Sequence, residues 1–105
     1  MSSRDRWKRQ ERETAAILGG ERQPCTGGPH ADVTTPLLAI EHKARQKLPT
    51  WLTGAVSQAV GSCKDDQTPM VVLTEVSQGR KARRYALLRL EDFVDLYGPL
   101  TGEPQ

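Results

Sequence analysis

Asp32, Glu41 and Lys43 fall within one stretch, Ala31-Asp32-Val33-Thr34-Thr35-Pro36-Leu37-Leu38-Ala39-Ile40-Glu41-His42-Lys43, whose residue types and spacing could do chemistry. Side chains alternate across a strand, so Glu41 and Lys43 emerge on one face and His42 on the other, together with Leu38 and Ile40. A turn through Pro36 can fold Asp32 back beside the Glu41 end. Two carboxylates and an ammonium would then converge at one sheet edge, an arrangement suited to metal-assisted phosphodiester hydrolysis. Mg²⁺ prefers hard oxygen ligands and keeps several waters, so one or two carboxylates plus a substrate phosphate suffice. Such a metal polarises the phosphoryl oxygen and lowers the pKa of a bound water. A nearby lysine offsets charge developing on phosphorus. Glu-x-Lys alone is a common pattern. Its weight here comes from the upstream aspartate, the apolar strand leading into the glutamate, and an acidic residue on the preceding helix. The plain alternative is a surface carboxylate and an exposed ion pair, worth little.

The elements that must position these residues are legible from periodicity and punctuation. Ser2 or Ser3 can cap a helix running to about Leu18, with Trp7, Ala15, Ile17 and Leu18 as its apolar residues, and Gly19-Gly20 ends it. Glu21 to Thr26 reads as extended, Gly27-Gly28-Pro29 as a loop, Ala31 to Val33 as a second extended piece, and Leu37 to Ala44 as the clearest strand of the first half. Thr50 is the expected N-cap of a helix from Trp51 to about Cys63, in which Leu52, Ala55, Val56, Ala59 and Val60 recur at helical spacing. Met70 to Val76 reads as a buried central strand, Gln78-Gly79 as a turn, and Arg83 to Leu90 as its hairpin partner. Glu91-Asp92 opens a last helix that Gly98-Pro99 stops, and Thr101 to Gln105 reads as a disordered tail. The expected fold is α/β: a single domain over residues 1–100, a mixed β-sheet flanked by helices in the order α-β-β-β-α-β-β-α.

These residues resemble the PD-(D/E)xK nuclease superfamily, and within it the archaeal-type Holliday junction resolvases, including relatives carried by phages. The likeness spans roughly Arg9 to Val76. It runs through Glu11-Arg12-Glu13, Gly20-Glu21-Arg22, the Gly27-Gly28 loop, Asp32-Val33 and Ile40-Glu41-His42-Lys43. It implies a restriction-endonuclease-like core in which Asp32 and Glu41 ligate Mg²⁺ (or Mn²⁺) with the main-chain carbonyl of His42. It further implies Lys43 as the catalytic lysine and Glu11, matching the family's first glutamate, as an acid aiding the metal or its water. Arg22 matches an arginine near the scissile strand, Thr26 stands where resolvases have a serine, and Gln58 resembles a glutamine that many members point towards the site. Ala31 replaces the proline of the name motif. The Lys-Gly pair usual near the resolvase N-terminus is absent, and Cys25-Thr26 replaces the serine-centred loop. These departures bear on junction specificity rather than on nuclease chemistry.

Bulk properties bound the partners. Lys plus Arg number 15 against 13 Asp plus Glu, a formal charge of +2, but the cations fall in three clusters: Arg4 to Arg12, Lys43 to Lys47, and Arg80 to Arg84. Clusters on a nearly neutral chain look like a divided footprint for a polyanion. Arg9, Arg12, Arg45 and Lys47 are the candidate phosphate contacts beside Arg22, Thr26 and Gln58. The 105 residues give a thin core, which dimerisation through an apolar strip would relieve. Trp51 reads as a core or dimer-contact residue, and Phe93, Leu96 and Tyr97 as cover for the sheet or, alternatively, as a dimer interface. Cys25 and Cys63 read as free thiols, and His30 and His42 lack the Cys/His set of a zinc site. With no signal-peptide or membrane-spanning pattern, a cytoplasmic protein without a small-molecule cofactor is expected.

The leading expectation is a homodimeric endonuclease of DNA recombination and repair that nicks four-way junctions in pairs. The alternatives are a flap or fork nuclease of the same superfamily and, further off, an inactive DNA-binding module. A restriction-type enzyme is disfavoured because so short a chain leaves little room for sequence-reading insertions.

Overall fold

The computed structural model describes residues 3–23 and 31–98. Thr26, Cys25, His30 and the tail from Thr101 lie outside them. The elements are α1 (Ser3–Leu18), β1 (Glu21–Arg22), β2 (Val33–Thr34), β3 (Ala39–Ile40), α2 (Thr50–Ser62), β4 (Val71–Glu75), β5 (Arg83–Leu87) and α3 (Leu90–Tyr97). The class is α/β and the element order is the one expected from the sequence. The strands do not join in one mixed sheet. Among the described residues they form two antiparallel sheets, β1-β2-β3 and β4-β5. The chain divides into two compact units, built on Met1–Gln46 and Lys47–Leu96.

In the first unit α1 packs on β1 and β2. Its buried face is Glu11, Ala15 and Leu18, at the spacing of successive helical turns, set against the fully buried Val33. Ile17 is off this stripe and is 51% exposed, and Trp7, one turn before Glu11, is 47% exposed. The helix ends in a Schellman motif, with Gly19 at φ 70°, the Gly20 N–H donating to Ala15 O at 2.8 Å and the Gly19 N–H to Ala16 O at 3.4 Å. Gly20 also passes hard against β2: a Cβ there would run into the Thr34 carbonyl and lie 2.9 Å from Thr35 Cγ2.

The expected long strand Leu37–Ala44 pairs over Ala39–Ile40 only, where Val33 faces Ile40 and Thr34 faces Ala39. Residues 41–45 leave the ladder. The hairpin is closed between Thr35 and Leu38, whose main chains exchange hydrogen bonds of 3.0 and 3.4 Å. Thr35 Oγ1 accepts from the N–H groups of Leu37 and Leu38, a side chain replacing backbone partners in a tight turn.

In the second unit Pro49, not Thr50, is the N-cap of α2, and there is no side-chain cap. The Pro49 carbonyl instead accepts the N–H groups of Leu52 and Thr53. Strand β4 is no buried central strand. Among the described residues its one strand neighbour is β5, in the register Val71↔Leu87 to Glu75↔Arg83, and α2 contacts it. Val71 and Leu73 are therefore half-buried, while Val72 is 57% exposed. Trp51 is exposed at 65%, so it is not a core residue of this unit. At the start of α3, Arg89 donates through Nε and Nη2 to Asp92 Oδ2 and Oδ1 at 2.6 and 3.2 Å. That hydrogen bonding holds the guanidinium pKa above its ordinary value. No described helix is long and apolar enough to cross a membrane.

Candidate active site at the mouth of the first sheet

The three-stranded ladder sets Arg22 opposite Val33 and Val33 opposite Ile40. Cross-strand partners share a face, so these three form the face against α1, and Arg22 is the polar member of an otherwise apolar row. Glu11 on α1 meets it there. Arg22 Nε lies 2.7 Å from Glu11 Oε2, with the two side chains 23% and 7% exposed. A carboxylate so deeply buried needs a partner, because desolvating an uncompensated charge is costly. The sequence places Glu11 and Arg22 eleven residues apart; the α1-to-β1 turn at Gly19-Gly20 brings them together.

Asp32 sits one residue before β2. Its Oδ2 accepts the main-chain N–H of His42 at 2.8 Å, and its carbonyl accepts the N–H of Gln23 at 2.8 Å. Gln23 Nε2 in turn donates to Thr34 Oγ1 at 3.1 Å. Asp32 thus ties the ends of all three strands together just where regular pairing stops. A carboxylate offers about four lone-pair sites, so the bond to His42 leaves acceptor capacity on Asp32.

The Glu41 and Lys43 side chains are 64% and 70% exposed, and Lys43 Nζ lies 3.9 Å from Glu41 Oε2. Water screens such a pair, which contributes at most about 1 kcal/mol. Both are therefore available to a ligand. His42, between them, is half-buried, and among the described residues its buried Nδ1 has no hydrogen-bond partner.

A cleft of about 290 Å³ opens beside this segment, lined by Trp7, His42, Lys43, Ala44 and Arg45. Sequence reasoning missed Trp7 as a lining residue. The signal was present: Trp7 is four residues before Glu11 and so lies on the same helical stripe, beyond the part the sheet covers.

The candidate residues thus fall into an internal pair, Glu11–Arg22, and an exposed group, Asp32, Glu41 and Lys43. Arg22, expected at the scissile strand, is engaged by Glu11. Arg9 pairs with Glu13 at 3.3 Å on the exposed side of α1, where Arg12 is also exposed. Arg45 is exposed, its Nη1 donating to the Ala44 carbonyl. Lys47 and Gln58 are exposed residues of the second unit. Among the described residues no three His, Cys, Asp or Glu are grouped to hold a metal ion. The oxygen donors that the resemblance implies, the Asp32 and Glu41 carboxylates and the His42 carbonyl, are of the hard kind that Mg²⁺ prefers. They lack the Cys/His set of a structural zinc site.

No protein-family model matches the chain, and the comparisons with curated proteins and with solved structures found none similar to it. Function must therefore be argued from the site.

Proposed function

We propose that this chain is a Mg²⁺-dependent, structure-specific DNA endonuclease of the PD-(D/E)xK type, acting as a homodimer that resolves four-way junctions by paired nicks. The observation that carries the reading is the β2–β3 hairpin. It holds Asp32 through the His42 N–H and leaves Glu41 and Lys43 side by side in solvent on the segment that follows β3.

Asp32, Glu41 and the His42 carbonyl would hold the ion, which when bound supplies Lewis-acid polarisation of the phosphate and a more acidic water. Asp32 enters this role already oriented, since its contact with the main chain keeps the carboxylate from rotating away. Lys43 offsets negative charge on the phosphoryl oxygens, a task that needs no burial because the substrate itself excludes water on binding. Glu11 acts from below. Its charge holds Arg22 on the α1 side of the sheet and so fixes the packing of β1 and β2 under the hairpin. Arg12 and Arg45 provide exposed cations for flanking phosphates, giving affinity that falls steeply with salt. A two-fold dimer would set two such sites against strands of like polarity.

The same chemistry on a flap or fork is the second reading, favoured by the open cleft at Trp7, which suits a free strand. Cleavage of a labelled four-way junction, compared with linear duplex and splayed-arm DNA, tests both. The assay is run in Mg²⁺ and in EDTA with the wild type and Glu41→Ala. Paired nicks at the junction that vanish in EDTA and in the variant support the first reading. Cleavage confined to the splayed arm supports the second. Wild-type activity in EDTA, or in Glu41→Ala, overturns both.

A further inference from the structure

We infer that the cleft at Trp7 is a subsite for one unpaired nucleotide, whose base stacks on the indole while Lys43 and Arg45 hold its phosphate. The inference deepens the nuclease reading and rests on it for its purpose, because Lys43 belongs to both the cleft and the candidate site.

Three observations converge. Trp7 is on the stripe of α1 that buries Glu11, Ala15 and Leu18, yet is 47% exposed. A large apolar ring is thus held on a rigid element and left open to solvent, as a stacking platform requires. Among the described residues that line the cleft, the charged side chains are Lys43 and Arg45, and none is a carboxylate. It is therefore selective for an anion, and an anion attached to a flat apolar group satisfies the indole as well. Finally, its volume of about 290 Å³ lies just under the range for small-molecule sites, roughly 300–1,000 Å³. A single base with its sugar is of that scale, whereas a paired duplex keeps its bases stacked inside and offers none to the indole.

Stacking on an aromatic face is tolerant of base identity, because every base has a π-face, and arginine adds a cation–π component. The subsite therefore selects for strand state rather than sequence. It would favour DNA in which a base beside the scissile phosphate is unpaired, as at a branch point, and would leave an intact duplex less tightly held.

The test uses the full chain in EDTA, so that binding is read without cleavage. The chain has two tryptophans, and Trp51→Phe leaves Trp7 as the sole indole emitter. Octathymidylate, a blunt duplex of equal length and thymidine monophosphate are titrated in turn, with binding followed independently by anisotropy of a labelled strand. The expected result is quenching of Trp7 emission by the single strand and, more weakly, by the mononucleotide, with little change on adding duplex. Trp7→Ala should weaken single-strand binding about tenfold, while Trp7→Phe keeps most of it. Binding of the single strand with no change in Trp7 emission overturns the inference, as does equal quenching by duplex. Equal affinity of Trp7→Ala and wild type does the same. Quenching by the mononucleotide alone would make the cleft a free-nucleotide site and also refute it. The quench needs no variant at Trp7, so a folding defect in Trp7→Ala leaves the test intact. Loss of Mg²⁺-dependent cleavage with quenching retained would count against the nuclease reading and not against the subsite.

Discussion

Arg22 Nε and Glu11 Oε2 are 2.7 Å apart, joining the first helix to the first strand through an ion pair whose acidic member is almost wholly buried. Removing one partner strands a charge in the interior. Arg22→Ala should destabilise the protein by about 3 kcal/mol, towards the low end for buried pairs because Arg22 retains some solvent. Urea unfolding of Arg22→Met, Glu11→Leu and the double variant measures the coupling. The double variant should recover much of what either single variant loses, since no charge is then left unpaired. Simple additivity would show that the pair is not coupled.

Asp32 carries two separable roles, and Asn separates them. Asp32→Asn keeps an oxygen to accept the His42 N–H, so its melting temperature should stay close to wild type. Asp32→Ala leaves that N–H without its acceptor and should cost about 1–2 kcal/mol. Both variants should lose Mg²⁺-dependent nicking. Activity in Asp32→Asn equal to wild type would remove Asp32 from the metal site.

Glu41 and Lys43 make the opposite prediction. Their contact is 3.9 Å long and solvent-exposed, so Glu41→Ala or Lys43→Ala should change unfolding free energy by no more than about 0.5 kcal/mol. Cleavage should nonetheless fall at least about a hundredfold, because an electrostatic group acting on the transition state is lost. A stability loss of several kcal/mol in either variant would show that these residues serve the fold.

Two glycines should respond to the same substitution with opposite sign. At Gly20 a methyl group meets the Thr34 carbonyl and Thr35 Cγ2, so Gly20→Ala should destabilise by about 1–3 kcal/mol through overpacking. At Gly54, in the interior of α2, a Cβ has no atom within 4 Å, so Gly54→Ala should stabilise by roughly 0.5–1 kcal/mol. Paired chemical denaturation curves check both signs in one experiment.

Much of the local architecture was legible in particular residues. Gly19-Gly20 announced the end of α1, and the turn residues Thr35 and Pro36 announced the β2–β3 hairpin. The apolar spacing from Leu52 to Val60 announced α2. Strand length was not legible. Leu37–Ala44 reads as one strand because its residues suit extended backbone, but pairing needs a neighbour, and β2 offers only Val33 and Thr34. Exposure in β4 was hidden for a related reason: an apolar run looks the same whether one face or two are covered, and only the number of neighbouring layers decides.

The order of elements and the chemistry on offer are written locally. Helical and extended periodicity, glycine, proline and the alternation of Glu41, His42 and Lys43 are properties of short stretches of chain. Tertiary structure alone decided which partner each charge takes. Glu11 and Arg22 meet because a Schellman turn folds β1 back along α1. Asp32 is held by the His42 N–H because the hairpin returns that strand to its side. Trp7 is left open because the sheet is too short to cover the first turns of the helix. Each of these depends on groups distant in the chain and adjacent in space, and for a charge or an indole it is the neighbours in space that set solvation and reach.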